Sequence, residues 1–119
     1  MQSYRDLRAW QISMDVVVFV YKETRSFPKD ERFGMVDQMR RASVSVPCNI
    51  SEGSSRLTVG EFLNSLSIAR GSHAELETLV IAAERLGYLS SEELIRECEE
   101  SGRVLSGLIR SLRVKRTGH

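Results

Sequence analysis

From Phe62 onward, Leu66, Ala69, His73, Leu76, Val80 and Ala83 follow one another at gaps of four and three residues in strict alternation. Only a helix brings positions so spaced onto one line, and a repeat this regular describes a long coiled-coil-like seam. Both ends of the helix are written beside it. Thr58-Val59-Gly60-Glu61 fits a capping box, in which the threonine hydroxyl and the glutamate carboxylate each accept from an orphaned backbone N–H. Gly87 supplies the left-handed residue that stops a helix, with Tyr88 and Leu89 placed to fold back on the last turn. The expected helix covers about 59–86.

Upstream, Leu7, Trp10, Met14, Val17 and Tyr21 recur at three and four residues and predict a helix over about 6–25. Ile12, Val16 and Phe19 form a second stripe, nearly opposite at 100° per residue. A helix apolar on two faces has a neighbour on both. Either it is central in the domain, or its spare face of Ile12, Val16 and Phe19 is an oligomer interface, the reading preferred here. Ser26-Phe27-Pro28 closes this helix and opens the next, because proline suits a first helical turn and disfavours helix in the residue before it.

The second helix, expected over about 28–55, carries Met35, Met39, Ala42, Val46 and Ile50 in a stripe that runs straight through Pro47. An interior proline removes one N–H, strands the carbonyl of Ser43 and costs about 3 kcal/mol unless compensated. The expected form is therefore a proline-kinked helix in which the Ser43 and Ser45 hydroxyls rebind local backbone groups. Arg41, Ser45, Cys48 and Glu52 share one face of it, suited to a close helix contact with polar ties. Ser90-Ser91-Glu92-Glu93 repeats the capping-box logic. It opens a fourth helix over about 91–114, striped by Leu94, Cys98, Leu105, Leu108 and Leu112 and followed by a basic tail at 115–119. The short turns predict an all-α, up-down-up-down antiparallel four-helix bundle, and 119 residues predict one domain spanning 1–119.

With 41% hydrophobic and 28% charged residues, the chain has the balance of a globular protein rather than a disordered tail. No apolar run approaches the roughly 20 residues that cross a bilayer, and the start MQSYRDLRAW lacks the apolar core of a signal peptide. A cytoplasmic protein that does not enter the membrane is expected, with Cys48 and Cys98 as reduced thiols. The net charge of +1 hides an uneven distribution. Residues 90 to 100 hold five glutamates against one arginine, whereas residues 103 to 119 hold Arg103, Arg110, Arg113, Lys115 and Arg116 with no acid.

Several spaced motifs, in order, resemble a known family. Asn49-Ile50-Ser51-Glu52-Gly53 with Arg56 resembles its NIAEG signature followed by arginine, and Gln38, Arg40-Arg41-Ala42, Ser45 and Val46-Pro47 resemble its QxRRAxxSxP stretch. Leu7 with Trp10, Phe27-Pro28, Ala69-Arg70-Gly71-Ser72 and Glu75-Leu76-Glu77-Thr78 extend the likeness from residue 4 to about residue 112. This is the four-helix bundle family named for proteins encoded in intervening sequences of the 23S ribosomal RNA gene, and the chain is also similar to the accessory protein of diversity-generating retroelements. The resemblance implies a homopentameric ring and no enzyme. For the retroelement protein it implies binding to nucleic acid and to a reverse transcriptase.

The residues themselves offer catalysis little. His73 and His119 are the only histidines, and His73 lies on an apolar seam, which reads as a hydrogen-bonded core or interface residue. Arg70 precedes His73 by three, so the Glu-x-x-His pair of di-metal bundles is missing. There is no CxxC and no GxxxxGK[ST] loop, so no metal, cofactor or nucleotide is expected. Arg41, Asn49, Glu52 and Arg56, with Glu77, form either a ligand pocket or a structural polar network; the network is the reading preferred here, since interior charges must be paired. Arg110, Arg113, Lys115 and Arg116 are the candidate nucleic-acid contacts. In a pentamer they would gather about 20 positive charges, enough to attract a phosphate backbone; otherwise they are a solvated helix end complementing the helix dipole. Two functions follow: electrostatic binding of RNA or DNA for presentation to a partner protein, or a protein-interaction scaffold without nucleic acid.

Overall fold

The computed structural model describes residues 3–90 and 92–117. Four α-helices carry the fold: α1 (Arg8–Thr24), α2 (Met35–Ser54), α3 (Val59–Arg85) and α4 (Glu92–Thr117). Short 3-10 turns at Tyr4–Asp6 and Lys29–Glu31 precede α1 and α2, and the described residues contain no strand.

The long third helix is as the seam predicts. Thr58 Oγ1 accepts the Glu61 N–H at 3.1 Å. The return half of the box differs: Glu61 Oε1 takes the Thr58 hydroxyl at 3.3 Å. At the other end Gly87 has φ +80°. The Tyr88 N–H reaches back to the Ala83 carbonyl at 2.9 Å and the Gly87 N–H to that of Glu84 at 3.0 Å, the double closure of a Schellman stop.

The second helix starts at Met35, not at Pro28. Pro28 opens only the Lys29–Glu31 turn, and Gly34, with φ −107° and ψ −107°, separates that turn from α2. The Glu31 carboxylate then accepts the Met35 N–H at 3.3 Å, in place of a cap. The connection tucks Phe27 into the core against the ring of Tyr88, centroids 5.6 Å apart. Helix α2 continues through Pro47, and Ser43 Oγ donates to the Arg40 carbonyl at 2.8 Å, one turn before the Ser43 carbonyl that Pro47 leaves without its helical donor. Helix α4 persists to Thr117, beyond the expected 114.

Each long helix packs on two others, α1 on α2 and α4, and α3 on α2 and α4. The core divides into two clusters. One joins Ala9 near the start of α1 and Leu66 and Ala69 of α3 to Val46 and Ile50 late in α2 and Leu105 and Ile109 late in α4. The other joins Val16 and Val20 of α1 and Leu76, Val80 and Ala83 of α3 to Val36 and Met39 early in α2 and Leu94 and Cys98 early in α4.

The two stripes of α1 face the opposite way to the expectation. Ile12 at 5% and Val16 at 3% exposure are core residues of the protomer, so neither has surface left for an oligomer interface; Phe19 is half-buried against the same core. Of the other stripe, Met14 at 38% and Tyr21 at 39% exposure face outward, next to Val18 at 66%, while Leu7 and Trp10 are half-buried against the core. Periodicity finds both stripes but does not say which turns inward. Here the inward face is the one that alternates branched Ile12, Val16 and Val20 with small Ala9 and Ser13, which lets neighbouring helices approach.

Candidate functional site

Helix α2 carries the motif residues, and its small ones hold it to α3. Gly53 is buried where the helices come closest: a Cβ there would lie 2.6 Å from the Cβ of Ser65 and 3.0 Å from the Phe62 ring. About two turns earlier, Ser45 Oγ meets Ser72 Oγ of α3 at 2.7 Å, and Asn49 Nδ2 donates back to the Ser45 carbonyl at 2.9 Å and to its hydroxyl at 3.1 Å. Of the four residues expected to make a close helix contact, Ser45 does so; Arg41, Cys48 and Glu52 are exposed.

The expected polar network is not one network within the protomer. Arg41 pairs with Asp37 at 3.1 Å on α2, Arg56 in the turn after α2 donates to Glu52 at 2.9 Å, and Glu77 sits 3.6 Å from His73 on α3, each a local pair four residues apart. Asn49 serves Ser45 instead. The arginine that ties helices together is Arg40, which the sequence reading passed over. Its Nε donates to Thr24 Oγ1 at 3.0 Å, its Nη2 to the Tyr21 carbonyl at 3.4 Å, and its guanidinium lies 4.5 Å from the Tyr21 ring centre. It satisfies a carbonyl near the end of α1, where a cation also suits the helix dipole.

Between α3 and α4 runs a groove of about 600 Å³, lined among others by Arg70, His73, Glu77, Glu99, Arg103 and Arg110. His73, 6% exposed, forms part of its floor. Its Nε2 has no hydrogen-bond partner, the only such buried side-chain atom among the described residues, and faces Glu77 Oε1 at 3.6 Å. The seam histidine is thus a core residue whose ring remains partly unsatisfied. Burial pushes its pKa below 6.5, against the pull of the Glu77 carboxylate and the Cys98 backbone. Gly102 lies above the ring, where a Cβ would stand 2.8 Å from Nε2. On the rim, Arg103 Nη2 donates to Glu100 at 2.6 Å, which holds that carboxyl below its usual range. Cys98 is buried nearby, and burial raises its thiol pKa to about 12; it is no nucleophile at neutral pH.

At the end of α4, Arg110, Arg113, Lys115 and Arg116 are all exposed. Arg113 and Arg116 line a groove with Leu63, Asn64 and Ser67 of α3, and the Arg116 guanidinium lies across the first turn of α3, 3.3 Å from where a Cβ of Gly60 would be. Arg110 belongs to the other groove, the one over His73. Among the described residues no cluster of His, Cys, Asp and Glu could hold a metal ion, and no helix is long and apolar enough to cross a membrane. Of the expected Ser90-Ser91-Glu92-Glu93 box, Ser91 lies outside the described residues, and α4 begins at Glu92.

The fold and these surfaces define an all-α, four-helix protein with a few polar ties between helices, local charge pairs and open grooves. The chain belongs to the 23S rRNA-intervening sequence protein family, whose model matches residues 5–107. Among solved structures it is similar to a protein of unknown function from the S23 ribosomal protein family of Bacteroides thetaiotaomicron, with 23% identity over 86% of this chain and 98% of that one and a TM-score of 0.76. That likeness concerns the fold. No curated protein matches the chain.

Proposed function

We propose that this protein is a non-enzymatic, cytoplasmic helical bundle that assembles into a homo-oligomeric ring and binds RNA or DNA through its basic end, presenting it to a partner protein. Its helices alternate up and down, a reading supported by the way each core cluster joins the starts of two helices to the ends of the other two. The bend of α2 at Pro47, argued from the helix hydrogen bond that proline removes, belongs to the same reading, as do the count of five and the likeness to the accessory protein of diversity-generating retroelements, which come from the family resemblance. The observation that carries nucleic-acid binding is the state of the cations at the end of α4. Arg110, Lys115 and Arg116 have no ion-pair partner among the described residues, so phosphates need not displace a carboxylate to reach them. No aromatic side chain lines the groove that holds Arg113 and Arg116, so binding there is weakly sequence-specific.

Support for self-association comes from the outward face of α1. Trp10, Met14 and Val17, with Val44 and Pro47 of α2, line a mainly apolar trough of about 270 Å³. That trough also favours the second reading, a scaffold for protein contacts without nucleic acid. Fluorescence anisotropy with a labelled single-stranded RNA separates the two. Four phosphate contacts weaken binding by roughly fiftyfold between about 50 and 200 mM salt, and the double substitution Arg113→Glu with Arg116→Glu abolishes it. Absence of binding at the lower salt leaves the scaffold.

A further inference from the structure

The groove between α3 and α4 is polarised. Along α3 it runs from Arg70 to Glu77, and along α4 from Arg110 and Arg103 to Glu99. Ala69 and Leu105 share one core cluster and Leu76 and Cys98 the other, so the cations gather at one end and the carboxylates at the other. His73 lies between them. Neither Arg70 nor Arg110 has an ion-pair partner among the described residues, while Arg103 is fixed in place by Glu100. Beneath them is His73 Nε2, among the described residues the one buried side-chain atom left without a partner, under the notch that Gly102 leaves open.

We propose that this groove is a phosphate-binding site, in which Arg70, Arg103 and Arg110 take the oxygens of a phosphorylated ligand and the imidazole of His73 beneath them takes up a proton as the ligand binds. The charged groups around the ring are Arg70 and Glu77 on α3 and Glu99, Arg103 and Arg110 on α4; α1 and α2 contribute none to the groove lining. In the unliganded groove, burial favours the neutral ring. A phosphate held by those guanidinium groups adds negative charge beside the ring, and Glu77 is already positioned to accept from a protonated Nε2. The bound ligand and the proton then favour one another, so binding tightens as pH falls. Neither arginine nor a phosphodiester titrates near neutrality, which leaves the pH dependence of oligo(dT) binding to an imidazole, and the chain has only two, His73 and His119.

The identity of the ligand as a nucleic-acid backbone rests on the function proposed above; the groove as a phosphate site does not. The test follows the two histidine ring signals of the full chain by NMR against pH, alone, with short oligo(dT) and with inorganic phosphate. Both probes should move the His73 midpoint upward, and Arg70→Ala, which lies outside the basic end, should remove most of that movement. Affinity for oligo(dT) should be roughly fivefold higher at about pH 6 than at about pH 8. His119→Gln should keep that ratio and His73→Gln should flatten it. Oligo(dT) binding with an unmoved His73 midpoint overturns the groove site and leaves the basic end as the interface. Movement with phosphate but no binding of oligo(dT) supports the groove and overturns the nucleic-acid reading. Movement with neither probe overturns the groove whether or not His73→Gln folds.

Discussion

Helix α3 meets its two long neighbours in different ways. Against α2 the approach is close: Gly53 lets the backbone reach Ser65, and the hydroxyls of Ser45 and Ser72 meet at 2.7 Å. Against α4 a small residue has another effect. Gly102 leaves a notch above His73, and the ring nitrogen there stays without a partner. The first seam uses its glycine for contact and completes its polar groups; the second keeps both space and hydrogen-bonding capacity unfilled. A seam built only for cohesion would resemble the first, which is why a ligand is sought at the second.

That contrast can be broken most forcefully at Gly53. Gly53→Val places branched carbon where even a Cβ has 2.6 Å, and the loss of stability should be about 3 kcal/mol by urea denaturation. A loss below about 1 kcal/mol means that α2 and α3 are not locked there. Ser45→Ala removes a partner from both Ser72 and Asn49, and should cost about 1 kcal/mol in the same measurement. His73→Leu should have the opposite sign, a gain of about 1 kcal/mol, because it removes a buried group without a partner.

The same variant tests a pH dependence. The folded pKa of His73 lies below the 6.5 of the free imidazole, so in the window between the two the unfolded chain binds the proton and the folded chain does not. Stability should be fully present above that window and fall as pH drops through it. His73→Leu should lose that step, and a wild-type urea midpoint that is flat from neutral pH through the window contradicts the assigned burial. The smallest effect is expected at the exposed pair at the end of α2: Arg56→Ala, in the turn after the helix, should change stability by only about 0.3 kcal/mol. A much larger loss would mean that this pair does belong to a wider network.

Some of this was legible in the chain. The extent of α3 was, because its repeat, its threonine cap and its terminal glycine agree with one another. The start of α2 was not, since Pro28 suits a 3-10 turn as well as an α-helix and the choice fell to Glu31 and Gly34. The facing of α1 depends on which stripe meshes with α2 and α4, which no single-helix pattern contains. Arg40 and Arg41 look alike in sequence; one step of 100° turns Arg40 toward Thr24 and Tyr21 and leaves Arg41 with Asp37 at the surface. The groove over His73 had a visible marker, a histidine interrupting an apolar seam, but its depth comes from Gly102, which is nearly thirty residues away in sequence.

The chain's single tryptophan is Trp10, half-buried beside the Tyr4 ring at 5.4 Å and lining the trough formed with Met14, Val44 and Pro47. Its indole is therefore a native optical gauge of that surface: the colour of its emission will distinguish a wet trough from a sheltered one, with no dye attached and no residue changed.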